Sequence, residues 1–385
     1  MEHYELDAYC REFQGKVLSC LPSQRKDGDF FEIELDATAF YPEGGGQPCD
    51  LGFLDAVAIL HVQKKDGKVI HIVKEEIPLG TLVTGVIDWE RRFDLMQQHS
   101  GEHIVSGFAH KMFGCDNVGF HMGKELVTID FNVELSLEQV EQIEKKTNEY
   151  ILENHPVQIS YPSPTDLETL DFRSKKELSG DVRILTFPNA DVCACCGTHV
   201  KSAGEIRLVK IVSCQKFREG VRLELLCGER AIAYFEKNLQ ENKKISHLLS
   251  AKQEETAKAV EKLQLEKEKL SLALKKMEQN QVNHLVTEHQ GKKLLFVEDI
   301  SIDSLRILGT ALAEKLPHLE ICACFLLEEK LFRYAITSQE GDVRSLVKEL
   351  NQTFSGRGGG KEHLAQGSLT AKKEELESFF ENYPK

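Results

Sequence analysis

The chain lacks any long apolar run: its longest, Ile321 to Leu327, falls far short of the roughly 18 to 20 residues that span a bilayer, so no transmembrane helix is expected. Its N-terminus, MEHYELDAYCREFQGK, has neither the basic start nor the apolar core of a secretory signal, and a cytoplasmic location is expected. An excess of cations is lacking as well. Against 62 Asp and Glu stand 48 Lys and Arg, a formal charge of −14 over 385 residues. That balance disfavours non-specific nucleic-acid binding, and any such site must supply its own local cations. The cysteines are not spaced as a disulfide framework. Of the 11, three crowd together as Cys193, Cys195 and Cys196, a pattern that in a reducing compartment points to metal or thiol chemistry. With 41% hydrophobic and 29% charged residues, the composition excludes wholesale disorder and collagen-like repeats, and the length suggests two or three domains.

What is present divides into four stretches of an α+β protein. Residues 1–90 read as a β-rich module, with short runs such as Phe30 to Leu35 and Lys68 to Val73 separated by Gly, Pro and Asp. Residues 91–228 read as mixed α and β. Apolar positions from Trp89 to Phe113 follow a helical period, and Ser136-Leu-Glu-Gln139 is the pattern of a capping box opening a second helix that closes before His155-Pro156. Strand runs return at Val157 to Tyr161, Val182 to Phe187 and Ile206 to Val212. Residues 229–290 contain neither Gly nor Pro, and Leu249, Thr256, Leu263, Leu270 and Met277 recur at heptad spacing. This is expected to be a long helical linker, a hairpin or coiled coil, interrupted at core positions by Gln253 and Lys267. Residues 291–385 read as a small α/β module ending in a glycine cluster, for which a tight turn is one of two readings, the other being a loop that contacts a ligand.

Three segments carry chemistry. His99 and His103, four apart on the first helix, lie on one face and can grip one ion. Cys193-Ala-Cys-Cys-Gly-Thr-His199 adds a C-x-x-x-H pair, Cys195 and His199, beside further thiols. Mixed nitrogen and sulfur donors favour Zn2+, one per chain, over Mg2+ or Ca2+. Spacing alone does not choose among Cys193, Cys195 and Cys196 as the thiolate, nor between a structural and a catalytic ion. The third segment is Phe40-Tyr-Pro-Glu-Gly-Gly-Gly-Gln-Pro48, in which Gly44, Gly45 and Gly46 permit positive φ and close approach of backbone N–H groups to a phosphate or carbonyl. A plain hairpin turn is the simpler reading of that loop.

In this order the segments resemble the editing domain of alanyl-tRNA synthetases and the free-standing AlaX proteins that carry it. The matching residues are Thr38 to Gln47, Met96 to His103 and Cys195 to Val200. Downstream, Gly356 to Gly367 is similar to the glycine-rich signature of the synthetase's C-terminal, DHH-associated domain. What precedes Asp36 is expected to leave no room for an aminoacylation domain, and the resemblance is to the long AlaX type, acting in trans. It implies hydrolysis of the ester joining serine or glycine to tRNA(Ala), with alanine spared. It also implies zinc ligands at His99, His103, Cys195 and His199, a catalytic segment containing Thr38 as reader of the serine hydroxyl, and Gln47 with Gly44 to Gly46 lining the acceptor pocket. The family's CGGTH reads here as CCGTH, with Cys196 in place of a glycine. No general base is singled out; Glu43 and Glu102 are candidates.

The cluster ending in Gly360-Lys361 is not a triphosphate loop, because Ser355 and Glu362 occupy positions that require Gly and Ser or Thr. Arg357 and Lys361 are instead expected to meet tRNA phosphate. A homodimer through the helical linker or the C-terminal module is a further expectation. Two rival functions use the same residues: a tRNA-binding protein with structural zinc and no hydrolase activity, and a general zinc esterase.

Overall fold

The computed structural model describes residues 3–25, 28–174, 182–328 and 331–383. It is mixed α and β, as the sequence pattern predicts, and divides into two compact units, Met1–Asn242 and Lys243–Lys385.

The first unit begins with a single turn, α1 (His3–Leu6), and strands β1 (Glu12–Arg25), β2 (Gly28–Leu35), β3 (Gly52–Leu54), β4 (Val57–Lys65), β5 (Lys68–Val73) and β6 (Leu82–Ile87). These close into a barrel of order β1-β2-β5-β4-β3-β6. Closure depends on the length of β1. Its first residues, Glu12 to Lys16, pair with β6, and from Val17 to Arg25 it pairs with β2, which leaves the sheet without an open edge. Val17, Ile33, Leu54, Ile59, Val62, Val73, Val83 and Ile87 fill the interior.

One polar residue sits among them. His71 is fully buried; its Nδ1 lies 3.1 Å from the Ile33 carbonyl and its Nε2 lies 2.9 Å from Thr38 Oγ1. A carbonyl only accepts, so Nδ1 carries the hydrogen and Nε2 accepts from the Thr38 hydroxyl. Burial pushes His71 down from 6.5 to about 4. The unfolded chain therefore takes up this proton first as the solution is acidified. The stability held by neutral His71 is complete above about pH 6.5 and is lost as pH falls toward 4, on the order of 3 kcal/mol in all. Urea unfolding of the parent and His71→Gln at pH 7 and at pH 4 should show the smaller acid loss in the variant; equal losses would contradict this assignment.

Helix α2 (Trp89–Phe113) follows the barrel at once. Asp88 caps it by accepting from Arg91 N–H, and Gly114 closes it with φ +66°. Every residue from Leu95 to Ala109 is buried, so α2 is the central element of the unit. Its start is stapled to the barrel by Arg92, which has no exposed surface. The guanidinium donates from Nε to Asp50 Oδ1 (2.8 Å), from Nη2 to Asp50 Oδ2 and to the Ala39 carbonyl (2.6 Å), and from Nη1 to the Ala8 carbonyl (2.7 Å). Asp50 Oδ2 also accepts from Tyr41 N–H at 2.5 Å.

Around α2 lie strands β7 (Asn117–Met122) and β8 (Val127–Phe131), α3 (Leu137–Glu153), β9 (Gln158–Ser160), the short α4 (Pro164–Thr169), β10 (Ile184–Phe187), β11 (Asp191–Ala194), β12 (Val209–Phe217) and β13 (Gly220–Cys227). They form one sheet of order β12-β13-β8-β7 and another of order β11-β10-β9. α3 starts with the capping box between Ser136 and Gln139 that its sequence announces. Leu95, Met96, Ile104, Val105, Phe187, Leu223 and Leu225 belong to the core that these elements share.

α5 (Gly228–Leu248) runs across the division between the units and is separated from α6 (Thr256–Glu288) by residues 249–255. The interval without Gly or Pro is thus two helices, and Ser250 takes the left-handed conformation that ends the first. On α6, Leu263, Leu270, Leu274 and Met277 are exposed. Then come β14 (Leu294–Val297), α7 (Ile302–Lys315), β15 (Cys322–Glu328), β16 (Leu331–Thr337), α8 (Arg344–Thr353), β17 (Arg357–Lys361), β18 (Leu364–Leu369) and α9 (Lys373–Asn382), with a sheet of order β14-β15-β16-β18-β17.

The glycine cluster differs from the tight-turn reading: it is β17, an edge strand paired with β18. Two of its three glycines, Gly358 and Gly360, are required by how near β18 comes, whereas Gly359 faces open space. A Cβ on Gly358 or Gly360 would overlap the carbonyl oxygens of Gln366 and Leu364 respectively. Among the described residues, no helix is long and apolar enough to cross a membrane.

Candidate metal centre

One turn of α2 separates His99 from His103, and their rings stack with centroids 5.1 Å apart. β11 brings Asp191 and Cys193 alongside the helix, and the chain then leaves the strand as the loop Cys195 to His199. Two anchors hold that loop. Arg183, itself buried, donates from Nη1 to the carbonyls of Cys195 (2.7 Å) and Gly197 (3.2 Å), and Val200 N–H donates to Ser100 Oγ on α2 (3.1 Å).

Donor atoms of His99, His103, Cys195 and His199 all lie within 4.8 Å of one another. Cys195 is the cysteine that joins them; Cys193 is buried beside His103 and Asp191, and Cys196 is exposed. The Cys195 Sγ stands 3.5 Å from His99 Nε2 and 3.6 Å from His199 Nε2. Zinc bonds of about 2.05 Å to nitrogen and 2.3 Å to sulfur, opened to the tetrahedral angle, give a nitrogen–sulfur edge of about 3.6 Å. His103 Nε2 and His199 Nδ1 are buried and have no hydrogen-bond partner among the described residues, a costly condition that coordination of the cluster relieves on the His103 side. Burial works against a Cys195 thiolate, but the imidazoles of His99, His199 and His103 outweigh it and hold the thiol well below its ordinary value. Burial, reinforced by His99 and His103, outweighs the pull of Cys195 and pushes His199 down, to about 3, so this ring is a neutral donor. The donor set fits a zinc ion.

The flanking groups turn the histidines to face inward. Gln47, with no exposed surface, places Oε1 2.8 Å from His99 Nδ1. Thr198 fixes which way the amide points, because Gln47 Nε2 donates to Thr198 Oγ1 (2.8 Å) and Oε1 accepts from Thr198 N–H (3.2 Å). The amide oxygen therefore accepts from His99 Nδ1–H and leaves the Nε2 lone pair for the cluster. For His103 the same is done by Asp191, whose Oδ2 lies 2.9 Å from Nδ1. Arg173 grips Asp191 with Nε and Nη2, each at 2.7 Å. Burial raises the Asp191 carboxyl, yet the bonds from His103 and Arg173 prevail and bring it to about 2.

The glycine loop delivers Gln47. Gly44 and Gln47 exchange N–H···O bonds of 3.1 and 3.0 Å, and Gly45 and Gly46 have φ of +60° and +88°. A Cβ on Gly46 would stand 2.7 Å from the Phe120 carbonyl oxygen, so only glycine lets the loop lie this close against β7. Thr38 is placed differently from the others. Its hydroxyl donates to His71 and accepts from Phe40 N–H at 3.1 Å, and among the described residues no hydrogen bond joins that hydroxyl to the cluster. Glu102 is buried, with Oε1 accepting from Ser106 Oγ (2.7 Å) and from Asn117 Nδ2. Arg357 and Lys361 belong to the second unit, at the two ends of β17. The supporting residues Asp191, Arg173, Thr198 and Arg183 escape a reading of the sequence. Only the position of Asp191 two before Cys193, on one strand face, is a usable local sign.

Family matches cover the Gln47 loop and the Cys195 to His199 loop of this site. Residues 13–91 match the family described as tRNA synthetases class II (A), and residues 182–223 match the one described as Threonyl and Alanyl tRNA synthetase second additional domain. The alanyl-tRNA editing protein Aarsd1-B of Xenopus laevis is 35% identical over 68% of this chain and 67% of its own length. The alanyl-tRNA editing protein AlaX-L of Pyrococcus horikoshii is 29% identical over 97% of this chain and 95% of its own. The alanine–tRNA ligase of Pyrococcus furiosus is 30% identical over 95% of this chain, which corresponds to 41% of the ligase.

Proposed function

Since the chain belongs to the family of alanyl-tRNA editing proteins, we propose that it hydrolyses, in trans, the ester of serine or glycine wrongly attached to tRNA(Ala) and spares the alanyl ester. The observation that carries this reading is the convergence of His99, His103, Cys195 and His199, turned inward by Gln47 and Asp191. Chemically, such an editor is useful because a pocket shaped for alanine cannot exclude the smaller glycine and rejects serine poorly, leaving selection to a second site.

Zinc bound by those four residues would supply Lewis acidity for a bound water or hold the amino acid and terminal ribose. The rest falls to the chain's own groups. Gln47 and the Asp191–Arg173 pair keep His99 and His103 in the right tautomer and orientation. Thr38 reads the serine side chain: with its proton committed to His71 and one lone pair taken by Phe40 N–H, it can only accept, so it selects a ligand that donates, as a hydroxyl does and a methyl does not. Arg357 and Lys361 meet phosphates of the tRNA, fixing position without reading sequence. A homodimer would use the apolar row Leu263, Leu270, Leu274 and Met277 on α6.

The test is hydrolysis of purified seryl-, glycyl- and alanyl-tRNA(Ala) by zinc-quantified protein, with His103→Ala as control. Seryl or glycyl ester is expected to be lost at least a hundredfold faster than alanyl ester, and the variant is expected to lose the zinc of this centre together with activity. Intact esters with fully metallated protein would favour a tRNA-binding protein with structural zinc. Equal loss of all three would indicate an esterase without a filter.

A further inference from the structure

A second group of metal-ligating side chains, sharing no residue with the four above, gathers where the glycine loop meets β4. Cys49 is buried, and its Sγ is 3.3 Å from His61 Nδ1. Glu43 Oε2 approaches the same nitrogen at 3.9 Å, and the three donor atoms lie within 4.8 Å of one another. Glu43 and Cys49 are the two ends of the loop that contains Gly44 to Gly46 and Gln47. His61 is on β4, where the pairing with β5 slips between Ile59 and His61; such a bulge re-aims a side chain. The next residue, Val62, accepts a backbone bond from Glu43 N–H at 2.9 Å, so loop and strand already meet here.

We propose that Glu43, Cys49 and His61 form a second zinc site, which ties both ends of the Gln47 loop to β4.

A cysteine beside a histidine and a carboxylate has another familiar use, as nucleophile, base and orienting acid. That relay needs the carboxylate on the ring nitrogen remote from the nucleophile. Here sulfur and carboxylate both face Nδ1, which suits three donors around one cation and not a relay. Thiolate, imidazole and carboxylate together carry two negative charges and a soft sulfur, a match for Zn2+ over Mg2+ or Ca2+. Bond lengths of about 2.0 to 2.3 Å set donor separations near 3.3 to 3.6 Å. The sulfur–nitrogen distance already meets that range, and Glu43, whose side chain is 60% exposed, has room to close the rest. Three protein ligands in place of four would make this the more exchangeable of the two sites.

The full chain, stripped of metal and dialysed against micromolar Zn2+, should retain two zinc ions. His61→Gln and Cys49→Ser should each retain one, His103→Ala should retain one, and His61→Gln combined with His103→Ala none. Glu43→Gln, a change at an exposed position, should weaken the second site at least tenfold without altering the melting temperature of the metal-free protein, which guards against misfolding of the Cys49 variant. With Co2+ as probe, the second equivalent should add thiolate charge-transfer absorption that Cys49→Ser removes. One zinc in the parent, lost in His103→Ala and kept in His61→Gln, would overturn this site and leave the first intact. One zinc kept in His103→Ala and lost in His61→Gln would do the reverse.

Discussion

Arg92→Ala is expected to destabilise the first unit by about 3 to 5 kcal/mol, among the largest losses available from a single side chain. The guanidinium has no exposed surface and neither does its partner Asp50. In water both groups are solvated; in the folded unit the guanidinium exchanges that water for Asp50 and the carbonyls of Ala8 and Ala39, and the carboxylate for Arg92 and Tyr41 N–H. Truncating the arginine leaves a buried carboxylate without its cation and the buried Ala39 carbonyl without its donor. The same reasoning predicts that the pair is a poor source of net stability. Replacing both members, as Arg92→Met with Asp50→Leu, should therefore cost far less than Arg92→Ala alone. The measurement is convenient because the chain has one tryptophan, Trp89, at the start of α2, one turn before Arg92. Its fluorescence during urea unfolding reports the first unit directly. A loss below about 1 kcal/mol for the single variant would show that the staple is not what joins helix to barrel.

Gly197→Ala should cost the centre its metal. Within Cys-Cys-Gly-Thr-His the glycine is not needed for a left-handed turn; it is needed for space. A Cβ there would overlap the His99 ring and lie 2.8 Å from Gln47 Oε1. One methyl group thus displaces a ligand and the residue that orients it. Losses of ten- to a hundredfold in metal affinity accompany disturbance of a supporting residue, and this change strikes a ligand as well, so at least a hundredfold is expected in a chelator competition. His71, remote from the loop, should keep its acid response in this variant, which separates a local defect from unfolding. An affinity within twofold of the parent would mean the loop relaxes freely and that Arg183 does not hold it.

The parts of this structure that can be read from the sequence are those governed by neighbours in the chain. α2 spans the stretch its apolar period marks out, and Ser136 with Gln139 forms the capping box that four consecutive residues announce. His99 and His103 follow from helical pitch. Barrel closure does not, because it depends on Glu12 to Lys16 finding Leu82 to Val86, and nothing local records that pairing. The identity of the cluster cysteine is likewise non-local: the strand ends at Ala194, so alternation stops applying one residue before Cys195. Gln47 is conspicuous in its motif, but its part in orienting His99 through Thr198 is visible only in three dimensions. The glycine cluster misleads for a different reason. Glycine is a poor strand former by itself, and here Gly358 and Gly360 are selected by the backbone of β18 pressing against them.

That last strand has a further consequence. β17 ends its sheet, every residue in it is exposed, and three of its five residues have no side chain to keep another chain away. A bare backbone edge of this kind is an invitation to unwanted pairing between molecules. Arg357 and Lys361, one at each end, are the charges that discourage it. A variant made to test their phosphate contacts by removing both would also remove the guard from the edge, so weakened tRNA binding in such a protein has meaning only beside proof that it remains dispersed in solution.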